Sequence, residues 1–243
     1  MKPALDSFTS QYKPGAVTAI ENDVVLNWYP PRILQRLGAC QHLRLLELGL
    51  GHGYTTTWFH PRFASHTVIE GSPEVIGLFR AKHPLPGLNI VESYFETFET
   101  TERYHVIVMG FVLEHVDDPA RIVAKYRTLL APGGRLFIAV PNAKSLNRRL
   151  GFALGKIPDL YELNANDLLL GHQRQFCLDT LKALLLNNGY TVPWQEGIYL
   201  KPLPLAHLQT LPDFEANLRA MCEVGVAFPE LCVGLLVEAV PRA

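Results

Sequence analysis

Between about residue 43 and residue 140 the chain alternates short apolar runs with segments whose apolar residues recur at helical spacing. The runs Arg44 to Leu48, Thr67 to Glu70, Asn89 to Val91, His105 to Met109 and Arg135 to Val140 are short and bounded by turn residues, which predicts strands. Pro73 to His83 and Pro119 to Leu130 predict helices, the first closing before Pro84 and the second before Pro132-Gly133-Gly134. Such alternation builds βαβ units and a parallel sheet. Right-handed crossovers then place the C-terminal ends of the strands along one edge, with a ligand crevice at the switch point between the first and fourth strands. Downstream, Leu178 to Asn188 predicts a helix that Asn188-Gly189 ends as a left-handed cap, and the apolar segments Gly197 to Leu200 and Cys232 to Ala239 finish the sheet.

Three stretches fall outside this pattern: residues 1 to 42, 143 to 176 and 201 to 230. The division expected is an N-terminal helical cap over 1–42 and one domain over 43–243 with lid insertions at about 143–176 and 201–230. Lids at the C-terminal edge of a sheet exclude water and shape a substrate pocket. Substrate contacts are therefore sought in them, at Tyr12 and Tyr29 in the first and at His172 and Arg174 in the second.

Composition narrows the partners. With 243 residues and 48% hydrophobic content the chain buries a sizeable core, and a net charge of -1 advertises no basic surface for nucleic acid or anionic lipid. Met1 to Asp6 lacks an apolar signal core, and no run approaches the ~20 apolar residues of a membrane span. A cytoplasmic protein acting on a small molecule, as monomer or homodimer, is expected. Cys40, Cys177, Cys222 and Cys232 have no C-x-x-C spacing and read as reduced, buried thiols.

The first strand runs into Glu47-Leu48-Gly49-Leu50-Gly51-His52-Gly53, and the second ends in Glu70. Glycines permit a sharp turn and close approach of a ligand, and a carboxylate about twenty residues on accepts both hydroxyls of a ribose. The spacing E-x-G-x-G-x-G differs from the G-x-G-x-x-G of dinucleotide sites. Glu47 at the strand end would repel a pyrophosphate but attract an amino group or a sulfonium, and no basic residue lies in the turn. S-adenosylmethionine, cationic at sulfur and without phosphate, suits this turn better than NAD or a nucleoside triphosphate.

Glu47 to Gly53 with Glu70 resembles the first two motifs of class I S-adenosylmethionine-dependent methyltransferases. Val106 to Pro119 is similar to their fourth-strand motif, and Leu130 to Asn142 to the fifth-strand motif of the small-molecule branch, close to ubiquinone-type enzymes. The resemblance covers roughly residues 40 to 195. It implies an α/β, Rossmann-like, doubly wound sheet of seven mostly parallel strands with an antiparallel last strand. It also implies S-adenosylmethionine as cofactor and methyl transfer to oxygen, nitrogen or carbon of a small molecule. Two other readings stay open: cyclisation of the cofactor's aminobutyrate arm to azetidine-2-carboxylate with release of methylthioadenosine, and cofactor binding without turnover.

Carried residue by residue, the resemblance assigns the cofactor to Glu47, Gly49, Gly51, Gly53, Glu70, Tyr94, Phe95, Phe111 and Glu114. Glu47 would face the methionine ammonium or organise the turn, and Glu70 would hold the ribose. Tyr94 stands where the family has an acidic adenine contact, with Phe95 packing on the ring. Phe111 would border the sulfonium by cation–π attraction. Glu114-His115 resembles a pair that some relatives use, with a glutamate three residues earlier, to hold a divalent ion. Here that position is Phe111, so no metal is expected. His115 and His172 are candidate bases, Asn142 an acceptor contact at the pocket edge, Arg174 a bidentate partner for a substrate carboxylate, and Asp117-Asp118-Pro119 a cap for the next helix.

Overall fold

The structure is a computed structural model, and it describes residues 19–242. Tyr12 lies outside the described residues. Helix α1 (Ala19–Leu37) leads into alternating strands and helices: β1 (Arg44–Leu48), α2 (Tyr54–Phe59), β2 (Ser65–Glu70), α3 (Pro73–Lys82), β3 (Asn89–Glu92), β4 (Tyr104–Gly110), α4 (Pro119–Arg127) and β5 (Leu130–Pro141). Then come α5 (Leu146–Ala153), α6 (Ala165–Leu169), α7 (Leu178–Asn187), β6 (Tyr190–Ile198), α8 (Leu205–Leu208), α9 (Phe214–Gly225) and β7 (Gly234–Pro241).

The seven strands form one sheet in the order β3-β2-β1-β4-β5-β7-β6. β1 pairs in parallel with both β2 and β4, so the order reverses beside it, while β7 runs antiparallel to β5 and β6. The expected fold class is the one observed.

Alternation along the central strands decides which side chains face which layer. Leu46 and Leu48 of β1, Ile107 and Met109 of β4 and Ile138 and Val140 of β5 point to one face, against Ile122 and Tyr126 of α4 and Leu181 and Leu185 of α7. Leu45, Val106, Val108 and Phe137 point to the other, against Tyr29 and Ile33 of α1 and Leu218 of α9. Burial on both faces explains why these strands read as nearly continuous apolar runs. α1 is thus a layer of the core. Its Arg32 forms a two-pronged pair with Glu196 of β6, at 2.6 and 2.5 Å, and its Arg36 reaches Glu238 of β7 at 2.8 Å.

The two boundaries that differ most from the sequence pattern are the starts of β5 and β6. β5 starts at Leu130 rather than Arg135, because the chain holds its pairing with Tyr104 and then shifts register before Val106. Gly134 makes that shift possible, since a Cβ there would stand 2.8 Å from the Ala131 oxygen and 3.0 Å from that of Tyr104. β6 starts at Tyr190, ahead of Gly197, and Pro193 falls at the irregularity between Thr191 and Trp194. As β6 is an edge strand, the missing N–H of a proline is tolerated there. Gly189 has φ +80 at the end of α7, as the cap requires, and Asp118 accepts from the Arg121 amide at the start of α4. All four cysteines are free and buried.

Candidate active site

At the C-terminal end of β1 the chain passes through Gly49, Gly51 and Gly53 at φ +84, +48 and +81. Any other residue is strained in this left-handed conformation, which explains the alternation of glycines. A Cβ at Gly49 would meet Phe95 Cζ at 3.8 Å and Val112 at 4.0 Å. The turn therefore lies against a half-buried aromatic ring from the segment after β3 and against the first residues after β4. At Gly53 a Cβ would come within 2.8 Å of the Phe79 ring of α3.

Glu70, at the end of β2, ties two turns together. Its Oε2 accepts from the Leu50 amide at 3.1 Å, and its Oε1 accepts from the Ser72 amide at 2.8 Å. Glu47 is almost fully buried, and its Oε2 accepts from Thr56 Oγ1 of α2 and meets His66 Nε2 of β2, both at 2.9 Å. These contacts knit β1, α2 and β2 into one frame, the turn-organising kind of role for Glu47. Sequence reasoning missed Thr56 and His66. The one available signal was a histidine directly before the strand expected at Thr67 to Glu70.

Phe95 packs against the core beside the turn, whereas Tyr94 is 55% exposed. Phe111 has φ +57, an uncommon conformation for a bulky residue. Its amide donates to the Ala139 oxygen at 2.8 Å, and its ring meets that of Tyr29 edge-on at 5.9 Å. Tyr29 is itself buried, and its hydroxyl bonds Thr55 Oγ1 at 2.8 Å. Burial raises the pKa of that phenol well above the usual tyrosine range, and the Glu47 and Glu114 carboxylates add to the rise. Gly110 beneath it is obligatory, because a Cβ would lie 2.0 Å from the Tyr29 hydroxyl.

The inserted segment closes over the loop after β4. Gln173 receives the chain, its amide donating to the Glu114 oxygen at 2.8 Å and its side chain to the His115 oxygen at 2.6 Å. Arg174 donates to the oxygens of Leu113, Val116 and Asp117. The guanidinium expected to meet a substrate carboxylate here clamps backbone carbonyls. Asn142, expected at the pocket edge, is likewise engaged within the chain. It is buried, its amide group donates to the oxygens of Pro229, Glu230 and Cys232, and its Oδ1 accepts from the Lys144 amide. The polar tip that suggested a pocket contact instead fastens the end of β5 to the segment before β7.

The clamp brings His172 to His115, with ring centroids 4.8 Å apart in an edge-on arrangement, and both stand beside Glu114. Burial pushes the Glu114 carboxyl up to about 7, against the pull of His172, and burial together with the neighbouring His172 lowers His115 to about 4. His115 Nδ1 meets the Gly171 oxygen at 3.3 Å, and His172 Nδ1 lies 3.3 Å from Asp167 Oδ1. Burial works to raise Asp167, but His172, the Asn164 amide and Arg148 together hold it below the usual range. The two inserted stretches meet at a shallow apolar groove lined by Leu146, Leu200, Pro202, Met221 and Val224.

The methyltransferase domain family matches residues 27–193. The chain belongs to that family. Among curated relatives, a ubiquinone biosynthesis O-methyltransferase of Aeromonas salmonicida is 31% identical over 125 residues, covering 50% of this chain and 51% of that protein. The chain spans about half the length of the O-methyltransferase relatives it matches. Two solved structures share the fold. One is an S-adenosylmethionine-dependent methyltransferase from Mesorhizobium loti, with TM-score 0.63 and 17% identity over 89% of this chain and 98% of that one. The other is the N-methyltransferase NodS of Bradyrhizobium japonicum in complex with S-adenosyl-L-homocysteine, with TM-score 0.61 and 16% identity over all of both chains. In this methyltransferase-domain chain the family match ends at residue 193, so β7 and the 201–230 insertion lie beyond it. No helix among the described residues is long and apolar enough to cross a membrane.

Proposed function

We propose that this chain binds S-adenosylmethionine at the switch point beside β1 and transfers its methyl group to a small-molecule acceptor. The observation that carries the reading is the left-handed run Gly49, Gly51, Gly53 laid against Phe95, with Glu70 bonded into the same turn. Glu70 would hold the ribose hydroxyls with its remaining lone pairs, Phe95 would cover the adenine, and the backbone of Gly49 to Gly53 would line the methionine arm. Phe111 would face the sulfonium from the end of β4. When bound, the cofactor supplies an electrophilic methyl carbon. The chain's contribution is to hold the acceptor in line with it and to exclude water, which supplies much of the rate without acid–base help.

An acceptor that must lose a proton would turn toward the cluster of Glu114, His115 and His172, the polar group nearest in sequence to the end of β4. The two histidines keep the catalytic role first read from the sequence as part of this proposal. The relatives named as ubiquinone biosynthesis O-methyltransferases support oxygen as the methylated atom. On this reading the partners are the cofactor and the acceptor, without nucleic acid, and the chain works in the cytoplasm as monomer or homodimer.

Calorimetry with S-adenosylmethionine, followed by mass spectrometry of every adenosine-containing product, tests the assignment. Saturable binding, with S-adenosylhomocysteine formed once a phenolic acceptor is added, is the expected result. Methylthioadenosine formed without acceptor would move the assignment to cyclisation of the cofactor. Binding with no turnover on oxygen, nitrogen or carbon acceptors would leave a cofactor-binding protein.

A further inference from the structure

Asp167 and His172 lie in one short segment, and local geometry turns one toward the other. Asn164 opens α6 with a reciprocal cap, its amide donating to Asp167 Oδ2 at 2.9 Å and its Oδ1 accepting from the Asp167 amide at 3.0 Å. Past the helix, Gly171 takes φ +79, and the His172 amide returns to the Asp167 main-chain oxygen at 2.9 Å. The ring of His172 then stands with Nδ1 3.3 Å from Asp167 Oδ1, both side chains being largely shut off from solvent. Among the described residues this nitrogen has no other polar partner.

The helix cap occupies only Oδ2, so Oδ1 is left to the imidazole. Arg148 of α5 backs the carboxylate at 3.8 Å, while its Nε and Nη2 donate to the oxygens of Leu160 and Glu162. Against burial, the His172 ring, the Asn164 amide and Arg148 keep the carboxyl below its usual range, so it is charged at neutral pH. His115 is placed differently, with the Gly171 carbonyl 3.3 Å from its Nδ1. A carbonyl fixes a tautomer, whereas a carboxylate fixes it and also offers a counter-charge to the imidazolium. The other titratable or charged neighbours are Glu114 and His115, from the loop after β4, and Arg174 from the inserted segment itself.

We propose that Asp167 is a positioning residue for His172. Its carboxylate holds the imidazole in the tautomer with the proton on Nδ1, which leaves the Nε2 lone pair to take a proton from a hydroxyl acceptor. The inference rests on the methyl-transfer reading above. The acceptor's proton passes to Nε2, the acceptor oxygen forms its bond to the methyl carbon, and the electron pair of the broken carbon–sulfur bond stays on sulfur. The imidazolium left beside Asp167 then gives its proton to water. Asp167 acts on the reaction through His172 alone.

The test reads the tautomer in the full chain by long-range 15N–1H correlation of labelled histidine, with His172→Gln identifying its signals among the nine histidines. The expected spectrum of the unaltered chain has His172 protonated on Nδ1 and bare on Nε2. Asp167→Asn keeps the shape and the cap to Asn164 but presents an N–H to Nδ1, so the proton should move to Nε2. In turnover with S-adenosylmethionine and catechol as the probe acceptor, the same variant should lower kcat by about a hundredfold or more. KM and calorimetric cofactor affinity should stay within about twofold. Circular dichroism checks the fold of each variant. An Nε2-protonated His172 in the unaltered chain, a tautomer unchanged by Asp167→Asn, or an unchanged kcat overturns the proposal. The tautomer is read without cofactor or acceptor, so loss of S-adenosylmethionine binding in the unaltered chain would strike the methyltransferase reading while the spectrum still decides the pairing of Asp167 with His172.

Discussion

The two halves of the candidate site are made in different ways. On the side of β1 and β2, the turn is built by backbone conformation within one βαβ unit, with three glycines at positive φ and one carboxylate returning to two amides. On the side of β4, the site is built by side chains from segments far apart in sequence, as Gln173 and Arg174 grip residues 113 to 117 and carry His172 to His115. A site made of backbone advertises itself in sequence, because few residues tolerate its torsions. A site made of converging side chains does not, because each polar residue has many possible partners.

The sharpest way to break this contrast is Gly51→Val. Nothing lies within 4 Å of a Cβ at Gly51, so the cost to the fold is the left-handed strain, about 1 to 2 kcal/mol. Cofactor affinity should nonetheless fall by about a hundredfold or more, as the turn can no longer hold its shape against a ligand. A normal isotherm in calorimetry would overturn the proposed turn. Glu70→Ala comes next, with an expected loss of about 2 kcal/mol in cofactor binding from broken charge-assisted hydrogen bonds. Unchanged affinity would place the ribose elsewhere.

On the other side of the comparison, Arg174→Lys keeps the charge but not the fork that reaches three carbonyls. We expect about 1.5 kcal/mol of stability to be lost in denaturant unfolding, with turnover reduced more than cofactor affinity. Equal loss of turnover and affinity would mean that the clamp supports the whole crevice rather than one side of it. The smallest effect is expected for Tyr94→Ala. Its ring is 55% exposed, so cofactor affinity should stay within about twofold, and a large loss would restore the role that alignment with the family suggested.

The same distinction explains what could be read in advance. The end of β1, the cap of α4 and the glycine closing α7 were legible because each rests on local chemistry: a strand turning at glycine, the acidic pair before Pro119 capping, a left-handed Gly189. The starts of β5 and β6 were hidden, since a glycine pair and a proline that normally end elements are here absorbed by register shifts. Asn142 and Arg174 drew attention as polar groups at the end of a strand and in a loop. Their partners are carbonyls 87 to 90 and 57 to 61 residues away, and neither pairing leaves a trace in spacing. Glu47 was legible as a position and ambiguous as a role, because Thr56 and His66 reach it only once α2 and β2 are folded.

Phe111 adds a consequence for how this chain responds to selection. Its backbone sits in a conformation that glycine adopts freely and phenylalanine does not, at about 1 to 2 kcal/mol of strain. Glycine there would relieve that strain but lose the ring's packing on Tyr29 and the core around it. Stability and torsion thus oppose one another at a single residue, and on the proposed reading a screen of this chain for turnover would hold the ring in place whatever the backbone strain.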